Sequence, residues 1–211
     1  NSTSTVIAYS NSTTAINRIA AYPWSSSGFG TKYANPSPAP PAATYGLAFN
    51  PDSSAIIAGN ITTTPYIKAY AWSNSTGFGS AYADPATAPT GTVQSINFRD
   101  STTVGISISG SPSISVYAWS GSGFGSKFSD PASNPGGTIG YSVQFSTNAS
   151  GVSVIANARG NSPYVGVWPW SGGFGTIFSN PATLPTSSGR SVTFSPYSDV
   201  LYLGTSLTPF T

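Results

Sequence analysis

Large apolar residues alternate with small or polar ones through much of this chain, and residues 44 to 83 show the pattern in full. TYGLAF (44–49) sets Tyr45, Leu47 and Phe49 at every second position, the period of a strand with one face buried. Asn50-Pro51-Asp52-Ser53 follows as a tight turn, because Pro presets φ and Asp bonds its own backbone. AIIAGN (55–60) is the second strand. A polar loop leads to YIKAYAW (66–72), where Tyr66, Tyr70 and Trp72 share one face and Ile67, Ala69 and Ala71 the other. A Gly-Phe-Gly entry and SAYA (80–83) give a fourth strand that stops at Asp84-Pro85. The unit is four antiparallel strands.

The same order recurs as QSINF, TVGISIS, SISVYAW and FGSKFS, then as YSVQF, VSVIAN, YVGVWPW and FGTIFS. Before them, STVIAYS, INRIAAYPW and FGTKYA supply strands two to four of a unit. After them, RSVTF and DVLYLG supply strands one and two. Trp24, Trp72, Trp119 and Trp170 mark the copies at spacings of 48, 47 and 51 residues, the period of a structural repeat rather than of a catalytic motif. Apolar residues occupy both faces of each predicted sheet, so each sheet needs a neighbour on either side. Radial stacking provides that and leaves only short edges, whereas a linear stack exposes two end sheets. Proline falls at turns and strand ends, where it breaks no central ladder. The expected fold is all-β: one β-propeller domain over residues 1–211, of about 4.5 repeats, with four-stranded antiparallel blades. Four blades result if the last first strand completes the N-terminal unit, five if both partial units stand as incomplete blades. A third arrangement closes the array with a partner molecule by strand exchange.

GLAFNPDSSAIIAG (46–59) and SVTFSPYSDVLYLG (191–204), together with the Trp that ends each third strand, resemble a degenerate WD-repeat. The Gly-His pair and the Asp after Trp are missing, Ser25, Ser73, Ser120 and Ser171 standing in that place. The polar tetrad of intracellular WD-repeat scaffolds is therefore absent, and their signalling partners are not implied. At the level of the whole repeat the chain resembles phage and environmental-virus proteins with repeats of the type YPWSxGFGTKYANPATLP. That resemblance implies a viral origin and a virion or extracellular location.

Composition narrows the chemistry. The chain has no Cys and no His, which removes disulfides, thiolate chemistry, the commonest general base and the usual zinc ligands. There is no Glu, and three Lys, four Arg and five Asp give a net charge of +2. So few scattered cations cannot track a run of phosphates, and no nucleic-acid partner is expected. No apolar run is long enough for a membrane span. Starting at Asn1 with no Met anywhere, the sequence reads as processed or as a piece of a longer product.

The candidate site residues follow from these limits. All five Asp lie at turns, and Asn35 and Asn180 replace Asp84 and Asp130 in other copies, so an Asx turn accounts for them without ionisation. Ser nucleophiles lack a His or Glu partner, which leaves only Lys32, Lys68 or Lys127 for a Ser-Lys pair, all in repeat contexts. The Gly-Phe-Gly triplets lack the helix and Lys of a phosphate cradle and read as turns with Phe as a plug. No catalytic residue, cofactor or metal is predicted. Aromatic rings stack well on sugars, so Trp24, Trp72, Trp119, Trp168, Trp170, Tyr22, Tyr70 and Tyr117 are candidates for ligand stacking, against burial between blades as the competing role. Trp168 breaks the repeat pattern and is expected to be the exposed one. Asn-x-Ser/Thr occurs at Asn1, Asn11, Asn60, Asn74 and Asn148. Two functions fit: a non-enzymatic structural or attachment module meeting other virion proteins, or a multivalent lectin meeting host-surface glycans.

Overall fold

In a computed structural model, the described residues are 5–12, 18–135, 137–147, 150–195 and 200–206. Asn1, Asn148, Asp199 and the first residues of INRIAAYPW lie outside them. Sixteen strands and no helix are found among the described residues. The first sheet is β1 (Val6–Ser10), β2 (Ile19–Ser25) and β3 (Gly28–Phe29). The second is β4 (Thr44–Phe49), β5 (Ala55–Asn60), β6 (Ile67–Ser73) and β7 (Gly77–Ala81). β8 (Thr92–Asp100), β9 (Thr103–Ser109), β10 (Ile114–Ser120) and β11 (Gly123–Lys127) form the third. The fourth has three strands, β12 (Gly140–Thr147), β13 (Ser153–Arg159) and β14 (Val165–Pro169), and the fifth two, β15 (Gly189–Phe194) and β16 (Leu201–Thr205). Every pairing is antiparallel between chain neighbours.

Burial explains why second strands are the most apolar. All six residues of β5 are buried, since that strand is flanked by strands within its sheet and by sheets on both faces. Ile56 and Ala58 meet Ile19 and Ala21 of the first sheet, while Ala55 and Ile57 meet Val93, Ile96 and Val104 of the third. Val143, Ile155 and Trp168 meet Ile114 and Val116, and Ala156 and Ala158 meet Val192. Each junction between successive sheets thus holds its own layer of core, as in a repeat array whose units touch only their neighbours. Packing runs from first sheet to fifth in order, with no comparable packing between fifth and first among the described residues.

Several expectations need correction. Tyr45 leaves the face of Leu47 and Phe49, because a bulge between Thr44 and Leu47 turns it to solvent. Tyr66 has φ 63° and joins the opposite cluster, beside Ile67. The fourth strand begins at the first Gly of Gly-Phe-Gly rather than after it, with Trp72 opposite Phe78 and Ser73 opposite Gly77. In the fourth copy that strand shrinks to one bridge, Trp170 to Phe174. Gly77 and Gly123, at φ 82° and 102°, supply the left-handed turn residue these hairpins need.

Candidate functional site

The repeated Trp sits in a cage of three rings contributed by three parts of the repeat. Trp72 meets Tyr33 from the segment after β3 at 5.1 Å, Phe49 at the end of β4 at 5.1 Å and Phe78 of β7 at 5.0 Å, all edge to face. Trp119 meets Tyr82, Phe98 and Phe124 at 5.1–5.6 Å. Trp170 meets Phe128, Phe145 and Phe174 at 5.2–5.5 Å. These are favourable quadrupole geometries, and one wall of every cage belongs to the preceding sheet. The three indoles are only 3–6% exposed.

The other aromatic candidates divide in the same way. Tyr70, Tyr117 and Trp168 are fully buried. They are equivalent positions, opposite Ile56, Val104 and Ile155, and each rests on the Phe of its own hairpin at 5.7–5.9 Å. Trp168 therefore takes a tyrosine's place, and the expectation that it is exposed is corrected. Its indole N–H donates to the Ser133 carbonyl at 3.1 Å. Burial raises the Tyr70 and Tyr117 phenols well above the usual range. Only the first sheet differs: Trp24 is 39% exposed, with Phe29 at 5.0 Å, and Tyr22 stacks on Tyr9 at 6.2 Å.

The charged groups are accounted for locally. Asp52 accepts from the Ser54 hydroxyl and N–H, which lower its carboxyl, the hydroxyl most. Burial opposes ionisation of Asp100, yet the Thr102 hydroxyl and N–H and the Arg99 guanidinium hold its carboxyl below the ordinary value. The Asx turn expected of the Asp residues is formed at Asp52 and Asp100, through the Ser54 and Thr102 N–H groups, whereas Asp84 and Asp130 instead face cations, Lys68 donating to Asp84 at 2.8 Å and Lys127 to Asp130. Lys32 makes the same reach to the Asn35 amide oxygen at 2.5 Å. All three ammonium groups of the proposed Ser-Lys pairs are thus engaged. No cluster of three or more Asp, Glu, His or Cys exists among the described residues.

Arg159 is a group that sequence reasoning missed. It ends β13 fully buried, where β5 carries Asn60 in the equivalent place. Its guanidinium donates to the Asn134 amide oxygen at 3.2 Å, to the Pro135 carbonyl and to the Val165 carbonyl at 2.5 Å. It lies 5.6 Å from the Trp168 ring. Burial draws it down to about 10, still a cation at neutral pH. Gly166 makes room, since a Cβ there would lie 2.6 Å from the guanidinium. A lone Arg among apolar strand residues was the available signal. Asn60 is itself fully buried, so its sequon is inaccessible in the fold.

Two clefts of about 190 Å³ open between sheets. One is lined by Thr5, Val6, Phe49, Asn50, Pro51, Ser53 and Asn74. The other lies between β14, the segment from Phe178 to Pro181, and Leu201 of β16. No ionisable side chain lines either.

No family model matches the sequence, and no curated protein matches it. Solved structures resemble its fold. A functionally unknown protein from Desulfotomaculum acetoxidans overlays with a TM-score of 0.61 at 12% identity, covering 95% of this chain and 58% of that one. A Bacteroides uniformis protein provisionally assigned as a 6-phosphogluconolactonase gives 0.58 at 11% identity, covering 88% and 57%. The WD40 β-propeller domain of Doa1 gives 0.54 at 12%, covering 88% and 54%. The chain thus spans little more than half the length of the structures it resembles. At such identities the likeness is one of fold alone, an all-β arrangement of antiparallel sheets similar to a WD40 propeller.

Proposed function

We propose that this chain is a non-enzymatic structural and attachment module: five consecutive propeller blades, the first and last incomplete, of the kind borne on a phage-like virion appendage at a virion or extracellular surface. The observation that carries this reading is the fate of the repeated aromatic position. Trp72, Trp119 and Trp170 are consumed by packing between sheets, so the feature that could have given every blade a ligand site serves to hold the array together. The viral placement draws on the whole-repeat resemblance to phage and environmental-virus proteins. The fold likeness to the Bacteroides uniformis protein carries no chemistry across, and the two clefts offer no acid or base. Mass spectrometry of particles purified from the source should detect this chain as a stoichiometric component. Finding it only outside particles would remove the virion reading, and accelerated hydrolysis of 6-phosphogluconolactone would remove the non-enzymatic one.

The carbohydrate-binding alternative draws support from the exposed Tyr9, Trp24 and Phe29 of the first sheet and the half-buried Tyr22 among them. A glycan array should then show binding lost in Trp24→Ala and kept in Trp119→Phe.

A further inference from the structure

A bulge interrupts β4, β8, β12 and β15 at the same place, between Thr44 and Leu47, Val93 and Ser95, Gly140 and Ser142, and Gly189 and Ser191. The residues it turns out of the ladder are Tyr45, Gln94, Tyr141 and Arg190. Each stands four positions before the Phe of its strand, Phe49, Phe98, Phe145 or Phe194, so the four are equivalent in the repeat. The bulge recurs although the side chain it presents changes from blade to blade. A bulge bends the strand and re-aims a side chain. Tyr45 and Arg190 are exposed, and Gln94 and Tyr141 half-buried.

These four strands lie side by side. The Phe145 N–H donates to the Asn97 amide oxygen at 2.8 Å, and the Val192 N–H to the Ser142 hydroxyl at 3.3 Å, each across two sheets. A Cβ on Gly46 would lie 3.2 Å from the Ser95 backbone. The bulge residues thus form one row of ring, amide, ring and guanidinium. At the junction of the fourth and fifth sheets the Arg190 guanidinium lies over the Tyr141 ring, 4.1 Å from its centroid. Gly160 borders that ring closely, a Cβ there coming within 3.3 Å of it. The stack fixes the guanidinium and leaves its N–H edge free. Neither Arg190 nor the Gln94 amide has a hydrogen-bond or ion-pair partner among the described residues.

Charge is divided between the two ends of the strands in the same sense. Arg18 directly precedes β2, Arg159 ends β13 and Arg190 is second in β15. They share one end, because Ile19 opposes Ser10 at the close of β1 and Gly140 opposes Arg159 at the close of β13. None of the three faces a carboxylate among the described residues. Asp52 and Asp100 stand at the opposite end, Asp100 paired with Arg99. The end that carries the bulges therefore attracts anions.

We propose that Gln94, Tyr141 and Arg190, with Tyr45 beside them, bind the acidic sugar of a glycan. Arg190 takes the carboxylate through its paired N–H groups. The Gln94 amide and the tyrosine hydroxyls meet sugar hydroxyls, and the Tyr45 ring offers a face to the pyranose. One free guanidinium matches one carboxylate, whereas an acidic peptide with a run of carboxylates would call for several. The site is distinct from the aromatic surface of the first sheet. It rests on the reading of the chain as an attachment module and names what that module holds.

Ligand-observed saturation-transfer NMR with two acidic probes, trigalacturonic acid and sialyllactose, tests it against their neutral counterparts, the trigalacturonate methyl ester and lactose. At least one acid should bind with Kd of about 0.1–5 mM, its counterpart about tenfold more weakly or worse, and which acid binds tells a uronic from a sialic source. Arg190→Gln should weaken binding about tenfold or more, and Gln94→Ala about threefold. Arg190→Lys keeps the charge without the flat fork and should fall between wild type and Arg190→Gln. Arg190 is exposed, so its variants should keep the wild-type circular dichroism, and should Arg190→Gln unfold, Arg190→Lys carries the test. Trp24→Ala should leave this binding unchanged. No binding of either acid at about 10 mM, equal binding of the neutral counterparts, indifference to Arg190→Gln, or tighter binding of a hexa-aspartate peptide would each overturn the proposal. A chain found in particles that binds no acid loses this site alone, and one that binds acid but is absent from particles loses only the virion reading.

Discussion

Whether an aromatic residue here serves the fold or a partner depends on how many walls its cage has. Trp119 loses three ring contacts on truncation and leaves a cavity between two sheets, so Trp119→Ala should cost about 3–5 kcal/mol in urea unfolding. Trp24→Ala in dilute solution should cost about 1 kcal/mol, its ring being partly in water already. Equal losses would deny the asymmetry. The two buried tyrosines give a finer contrast. Tyr117 donates its hydroxyl to the Thr87 carbonyl at 3.0 Å, whereas the Tyr70 hydroxyl is buried without a partner among the described residues. Tyr117→Phe should therefore cost about 1 kcal/mol, and Tyr70→Phe should leave stability unchanged or raise it. Both phenols titrate above their unfolded value of 10.0, so the unfolded chain releases protons first and stability falls as pH rises past 10. Arg159 acts oppositely, its folded value of about 10 lying below that of a free guanidinium, so its burial penalty eases over that window. Two tyrosines against one arginine leave a net alkaline loss. The double Tyr→Phe variant should flatten it, and an unaltered slope between pH 9 and 11.5 would show that these groups do not control it.

Within an element, close stacking is set by what the strand lacks. Gly59 in β5 faces Val93 so closely that a Cβ would lie 2.5 Å from the Val93 methyl and 2.6 Å from its carbonyl oxygen. Because backbone cannot retreat like a flexible side chain, Gly59→Ala should destabilise by about 1–3 kcal/mol, read from the urea midpoint at unchanged slope. A neutral effect would mean that the second and third sheets slide freely. The same locality decided what was legible beforehand. AIIAGN and TVGISIS coincide with β5 and β9, since a strand sandwiched on both faces carries its signal in every residue. Tyr45 and Tyr66 were misassigned to faces, because a bulge and a positive φ each reverse a side chain without altering the alternation. The competition between stacking on ligand and packing between sheets was visible in the repeat, but its outcome was not. The wall of each cage that decides it, Tyr33 for Trp72 or Phe128 for Trp170, comes from another repeat unit. Arg159 was hidden for a related reason, as its acceptors are backbone carbonyls and an amide rather than a carboxylate that sequence could pair with it.

Across the whole molecule, stability should be graded along the row, because each sheet gains its core from its neighbours. The second, third and fourth sheets have packed layers on both faces. Among the described residues, the first and fifth have one such face each. Electrostatics cannot even out this gradient. The ion pairs Lys68–Asp84, Arg99–Asp100 and Lys127–Asp130 are partly exposed, and such pairs are each worth about 1 kcal/mol or less and are screened by salt. Hydrogen exchange should accordingly find the amides of β5 and β9 protected to the level of global unfolding. Those of β1 and β16 should open through local fluctuations well below it. The ordering should persist in 1 M salt, because the cores that set it are apolar. Uniform protection along the row would mean that the end sheets are held by contacts as extensive as the interior ones, and the graded array would have to be given up.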